Sequence, residues 1–218
     1  RSTLFPYTTL FRSASISIWA NFGRDTKQFA HFKEKNQLMK MGNDIMSSTW
    51  PNNEGMRIYC PYQQSARTYY WQCLYEGLVN KGVDAYWVDS SEPDHYQSGE
   101  DWEKTSDFIV LNKDDEDNAT LNPYSLETTH TWRAMRNVFP LMHASGVYDG
   151  HRGQKAPETE ARRVMIMTRS GFIGMQRYGA GTWSGDITAS WETLGNQIPA
   201  ALNYSACGIP SWNSDIGG

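Results

Sequence analysis

The sequence predicts an α/β fold: a parallel sheet with helices outside it, either doubly wound or closed as a (β/α)8 barrel. Three observations predict it. Short runs of strand character alternate with longer runs of helical period. The strand runs, "AYWV" (85–88) among them, read as interior strands of a parallel sheet. Tryptophans and acids then recur together where those runs stop.

The elements follow in order. "ASISIW" (14–19) has strand character, and "NFG" (21–23) breaks it. "DTKQFAHFKEKNQL" (25–38) reads as an amphipathic helix with Phe29 and Phe32 on one side. "QQSARTYYWQCLYEGLVNKG" (63–82) is a stronger helix, with Tyr70, Cys73, Leu74 and Leu78 near one face and Gly82 as its stop. "VDAYWVD" (83–89) is a strand. Residues 94–128 are polar with little periodicity; "NKDDEDN" (112–118) lacks the spacing and glycine of a calcium loop and reads as solvated chain. "HTWRAMRNVFPLMHASGVYDGHR" (130–152) is helical with a proline interruption, and "RRVMIMTRS" (162–170) is a strand. A glycine-rich segment runs to "TWSGD", "ITASWETLGNQIPAALNYSACG" (187–208) is helical in pieces, and "IPSWNSDIGG" (209–218) is a last strand and its exit. There is no internal repeat. No GxGxxG or phosphate loop appears, so the nucleotide-binding version of the fold has no support.

Composition narrows the function. The 218 residues suit one or two domains, and a net charge of -4 without a basic tract argues against nucleic acid as the main partner. No run approaches the ~20 apolar residues of a membrane helix. Nine Trp and twelve Tyr suit stacking on sugar rings as well as they suit large core aromatics. Cys60, Cys73 and Cys207 form no CxxC pair and are expected to be free, mostly buried thiols. His31, His95, His130, His143 and His151 show no HExxH or HxH spacing, so no metal is expected. No organic cofactor is implied.

In a barrel the chemistry sits on the loops after the strands. Those positions hold Trp19, Trp50 in "TWPNN", then Trp87, Asp89 and Glu92. Arg169 follows "VMIMT", Trp183 and Asp186 lie in "TWSGD", and Trp212 and Asp215 lie in "SWNSD". Any single acid is more simply a helix cap or a surface ion pair, and Asp186 before "ITASW" is a fair N-cap candidate. Recurrence at one topological place argues for a site. Paired carboxylates among aromatic rings suit glycoside hydrolysis, one attacking the anomeric carbon and the other protonating the leaving oxygen. No GxSxG supports a serine nucleophile.

These motifs resemble glycoside hydrolase family 31. "DAYWVDSSEPD" and the stretch from "RVMIMTRSGF" through "RYG", "WSGD" and "DIGG" carry the resemblance, and "ISIWANFG" and "TWP" fit earlier strand exits. The resemblance implies a retaining α-glycosidase on a (β/α)8 barrel. It makes Asp89, in W-x-D-x-x-E-P, the nucleophile and Asp186, in W-x-G-D, the acid/base. Glu92 would keep Asp89 oriented, and Arg169 would contact sugar and nucleophile. Trp50, Trp87 and Trp183 would line the sugar pocket, and Asp215 would bind sugar hydroxyls. "WVDSSEPD" and "WNSDIGG" are most similar to bacterial α-xylosidases, which implies an oligosaccharide substrate of xyloglucan type. The alternatives are an α-glucosidase or a transglycosylase. A non-catalytic sugar-binding protein would be marked by loss of Asp89 or Asp186, and both are present.

Residues 1–13, with "TLFPYTTLFRS", resemble the conceptual translation of a sequencing-library adaptor. Residues 14–218 are then expected to be an incomplete catalytic barrel, roughly strands 3 to 7, with a variable excursion at about 94–160. The resemblance places earlier strands before Ala14 and a last strand after Gly218, so the chain alone is expected to be inactive. The bacterial periplasm and the cytoplasm both suit the resemblance, as does an oligomeric full-length protein.

Overall fold

The structure, a computed structural model, describes residues 13–41, 44–45, 56–92, 109–111, 130–156 and 162–217. Trp50, His95, the acidic run at 112–118 and the adaptor-like residues 1–12 lie outside the described residues.

Eleven strands occur among the described residues: β1 (Ser15–Ile18), β2 (Asn21–Gly23), β3 (Lys40–Met41), β4 (Asp44–Ile45), β5 (Met56–Ile58), β6 (Ala85–Val88), β7 (Ile109–Leu111), β8 (His130–Thr131), β9 (Ile166–Thr168), β10 (Ala180–Trp183) and β11 (Trp212–Asn213). The α-helices are α1 (Lys27–Glu34), α2 (Gln64–Gly77), α3 (Trp132–Met135), α4 (Phe139–Gly153) and α5 (Trp191–Ala206).

Five strands form one parallel sheet in the order β1-β6-β9-β10-β11. Spatial order follows chain order, so each new strand is added on the same side. A doubly wound sheet reverses its order at a switch point. This one does not, and the architecture is a sector of a (β/α)8 barrel.

Several elements differ from the sequence reading. "NFG" does not simply end β1; it pairs antiparallel with β5 through Asn21↔Ile58 and Gly23↔Met56. Its ladder partner lies far along the chain, where local pattern cannot show it. Helix α1 is capped by Thr26, whose Oγ1 accepts from the Phe29 amide at 3.1 Å. It stops at Glu34, and Asn36 follows with φ 57° in the left-handed region. Pro140 does not interrupt a helix but sits in the first turn of α4, where its missing N–H costs no helical hydrogen bond. Helix α5 runs unbroken through Pro199, and β10 arises inside the glycine-rich segment. Of the thiols, Cys60 is buried, Cys73 half-buried and Cys207 exposed, so burial is less general than expected.

The core lies between the sheet and helices α2 and α4. Phe32, Tyr59, Tyr62, Tyr70, Tyr86 and Phe139 are its largest fully buried rings. Gly146 and Gly150 let α4 approach α2: a Cβ on Gly150 would stand 2.1 Å from the Trp71 ring. Two histidines then dock α4. Tyr59 Oη lies 2.6 Å from His143 Nδ1, and Tyr86 Oη lies 2.8 Å from His151 Nδ1. The second bond fixes β6 two residues before its exit. On the far side, Trp191, Leu194, Ile198 and Leu202 leave an apolar stripe of α5 uncovered.

Burial pushes the His143 pKa down from its ordinary value of 6.5 to about 3. Above pH 6.5 the ring is neutral folded and unfolded, and its contribution is complete. Between 6.5 and about 3 the unfolded chain takes up a proton that the folded chain refuses, so stability falls as pH falls. In a full-length enzyme carrying this segment, the Tm gap between wild type and His143→Gln should narrow from pH 7.5 to pH 5. Parallel Tm profiles would show that His143 is not buried as a neutral ring.

Candidate active site

The register of the sheet assembles the site. Val88 pairs with Ile18 on one side and Thr168 on the other, and Thr168 pairs with Thr182. Val88, Thr168 and Thr182 are each 0% exposed and belong to one face of the sheet. Side chains alternate along a strand, so the next residues point to the opposite face, the barrel interior. Those residues are Trp19, Asp89, Arg169 and Trp183, with Asn213 paired to Trp183. The row is one layer of the barrel mouth.

The ladder extends into this layer. The Asp89 amide donates to Ile18 O at 3.1 Å, and the Arg169 amide donates to Val88 O at 3.2 Å. Beyond Asp89 the chain turns sharply, with Ser90 at φ 49°. The Ser90 amide donates to Asp89 Oδ1 at 2.7 Å and fixes that carboxylate.

The Arg169 guanidinium gathers the acids. Its Nη1 lies 3.4 Å from Asp89 Oδ1 and 3.3 Å from Asp186 Oδ2, and its Nη2 pairs with Glu92 Oε1. Both aspartate oxygens therefore lie within about 7 Å of each other, a span that overlaps the carboxylate separations used in glycoside hydrolysis. Burial works against the arginine's charge. The Glu92 hydrogen bond, and then the charges of Glu92, Asp89 and Asp186, outweigh it and leave its pKa raised. The Arg169 side chain is 17% exposed, Asp89 23% and Asp186 93%. The half-buried pair thus meets an acid that reaches into solvent.

Gly185 makes this arrangement possible. Its φ is 73°, and a Cβ there would lie 3.0 Å from both Cγ and Cδ of Arg169. The loop can lie against the arginine stem only as glycine. Asp186 is not the cap of α5: Ser190 is, its Oγ accepting from the Thr193 amide at 3.1 Å. Trp87 and Trp183 meet at 4.8 Å between ring centroids and 53° between planes. Trp87 is 40% exposed toward the barrel interior, and Trp183 is buried.

Of the residues expected from sequence, the structure brings together Asp89, Glu92, Arg169 and Asp186, and sets Trp87 against Trp183. Asp215 is half-buried past β11 and forms no ion pair with Arg169. Trp212 packs its ring on Tyr204 at 4.6 Å, and Trp19 offers its carbonyl to Tyr70 Oη at 3.0 Å. The sequence pattern gives no separate role to Gly185, whose signal is its place before Asp186, to Ser91, which looks like loop polarity, or to Thr168 and Ser170, which look like the end of a strand. Among the described residues no group of three or more His, Cys, Asp or Glu is placed to hold a metal ion. The positive charge of the cluster comes from Arg169.

The sequence model of the glycosyl hydrolases family 31 TIM-barrel domain matches residues 9–218. The chain belongs to this family. It is 34% identical to an alpha-xylosidase of Saccharolobus solfataricus over 204 residues, which are 94% of this chain and 23% of that protein. It is 29% identical to an alpha-glucosidase of the same organism over 188 residues, 83% of this chain and 25% of that protein. The crystal structure of a family 31 alpha-xylosidase from Xanthomonas citri superposes with a TM-score of 0.73 at 30% identity, covering 94% of this chain and 20% of that one. The chain thus spans about a quarter or less of the length of these relatives.

Gly185 offers a direct check on the cluster. In a full-length family 31 enzyme carrying this segment, Gly185→Ala should displace Arg169 and lower kcat/KM on an α-glycoside by roughly tenfold or more. A wild-type kcat/KM in that variant would show that the Gly185–Arg169 contact does not shape the site.

Proposed function

We propose that this chain is the central part of the catalytic barrel of a retaining α-glycosidase that removes xylose from xyloglucan-type oligosaccharides. The observation that carries the reading is the convergence of Asp89 and Asp186 on one guanidinium at the barrel mouth. The α-xylosidase relatives support xylose as the sugar removed.

In this reading Asp89 attacks the anomeric carbon and forms a carboxylic ester to it. The glycosidic bond breaks, and Asp186 gives its proton to the departing oxygen. Asp186 then takes a proton from water, whose oxygen attacks the same carbon and releases Asp89. The solvent-facing position of Asp186 suits both a departing sugar and an arriving water. Asp89, tied to Ser90 and Arg169, suits a nucleophile that must not move. Glu92 holds the second arm of Arg169, and so orients Asp89 indirectly. Trp87 and Trp183 form a wall for the sugar, with Trp50 and Asp215 as further sugar contacts.

An α-glucosidase is the second reading, supported by the relative of that name. The two sugars differ by one CH₂OH group, a difference worth ~1–3 kcal/mol in a pocket. A transglycosylase would use the same residues with a sugar hydroxyl in place of water. We read residues 14–218 as an incomplete barrel and residues 1–13 as an adaptor translation, although the family match reaches back to residue 9. The uncovered stripe on α5 fits a further barrel unit packing there, and supports the expectation that the chain alone is inactive.

The test uses a full-length enzyme carrying this segment. Its kcat/KM on an aryl α-xyloside should exceed that on the matching α-glucoside by about tenfold or more. A preference for the glucoside would favour the second reading. Asp186→Ala should cripple substrates with poor leaving groups far more than activated aryl glycosides; equal losses on both would remove Asp186 from the acid/base role.

A further inference from the structure

We propose that Ser91 is a positioning residue. With Thr168 and Ser170 it forms a hydroxyl clasp that locks the turn bearing Asp89 and Glu92 to the turn bearing Arg169. The inference rests on Asp89 being the nucleophile, and it concerns what holds Asp89 in place.

Ser91 is 0% exposed, as is Thr168. The Ser91 Oγ lies 2.8 Å from Thr168 Oγ1 and 2.9 Å from Ser170 Oγ, and it accepts from the Ser170 amide at 3.2 Å. Thr168 Oγ1 donates to Ser170 O at 3.2 Å. These contacts allow one assignment of protons. A hydroxyl has one proton and two acceptor lone pairs. The Thr168 proton is spent on Ser170 O, so Ser91 must donate to Thr168. Ser91 then accepts twice, from the hydroxyl and from the amide of Ser170. Every proton and both Ser91 lone pairs are used.

The placement gives the clasp its effect. Ser91 stands two residues after Asp89 and one before Glu92, while Thr168 and Ser170 flank Arg169. The clasp therefore joins the two short segments whose side chains make the ion pairs. Ion pairs at a partly open mouth leave long side chains free to slide. Hydrogen bonds between short, buried hydroxyls act close to the backbone and hold to tenths of an ångström. The turn also needs holding, because Ser90 sits at φ 49°, where a residue with a Cβ is uncommon. A nucleophile displaced by about 1 Å can lose ~100-fold in rate.

The experiment compares variants of a full-length enzyme carrying this segment, assayed at 25 °C on an aryl α-xyloside and α-glucoside. Thr168→Val keeps shape and removes the hydroxyl; Thr168→Ser keeps the hydroxyl and removes a methyl group. Ser91→Ala and Thr168→Val should lower kcat by roughly 10- to 100-fold with KM within about threefold. Thr168→Ser should keep kcat within about threefold of wild type, even though its missing methyl group leaves a cavity and lowers Tm. The Ser91→Ala/Thr168→Val double variant should lose much less than the product of the two single losses, because both remove the Ser91–Thr168 bond. Wild-type kcat in Thr168→Val, or a larger loss in Thr168→Ser, would overturn the clasp and leave only packing. If Ser91→Ala does not fold, the two Thr168 variants decide alone. Asp89→Ala separates the two levels. Full activity in that variant, or none in wild type on either glycoside, overturns the glycosidase reading and the clasp with it. An inactive Asp89→Ala beside a wild-type Thr168→Val overturns the clasp only.

Discussion

One guanidinium holds the site together. Asp89, Glu92 and Asp186 crowd three carboxyl groups into one mouth, where like charges repel. Arg169 reverses that balance by standing among all three. A lysine could not replace it. The fork presents separate nitrogens, one to the two aspartates and one to Glu92, in a plane that a single ammonium lacks. The rest of the mouth is built to let the arginine stand there. Gly185 clears space along its stem, and the backbone bond from Arg169 N to Val88 O sets its height beside Asp89.

That height is a property of the sheet. Strands in parallel register carry Val88, Thr168 and Thr182, all fully buried, at one level on the helix side. The following residue of each strand must then face inward, because alternation leaves it no other face. A nucleophile candidate, its cation and an aromatic wall are thereby placed side by side by backbone pairing alone. The buried character of "AYWV" follows from this. Tyr86 anchors β6 to α4 through His151, Val88 seals the helix side, and Asp89 inherits their rigidity.

Much of this was legible in the sequence because the strands announce themselves by contrast. Apolar runs stop at Asp89 and Arg169, and such a change of polarity marks an exit whatever the distant partners are. Other features were hidden for physical reasons. β10 is Ala-Gly-Thr-Trp, in which Ala180 and Gly181 disfavour a strand, and it extends because β9 and β11 offer ladders on both sides. The β2–β5 pair depends on a partner far along the chain. Pro199 looks like a helix break, yet α5 passes through it. Ser91 reads as a loop residue until Thr168 and Ser170 are folded against it. Trp50, expected in the sugar pocket, lies outside the described residues.

The central claim is that Asp89 is the group that bonds to the sugar, and labelling tests it most directly. A full-length enzyme carrying this segment would be treated with an activated fluoroglycoside that lets the glycosyl-enzyme accumulate, then digested and mapped by mass spectrometry. The account predicts one added glycosyl group, on the peptide containing Asp89 and on that side chain. A label on Glu92 or Asp186, or turnover with no covalent adduct, would contradict it.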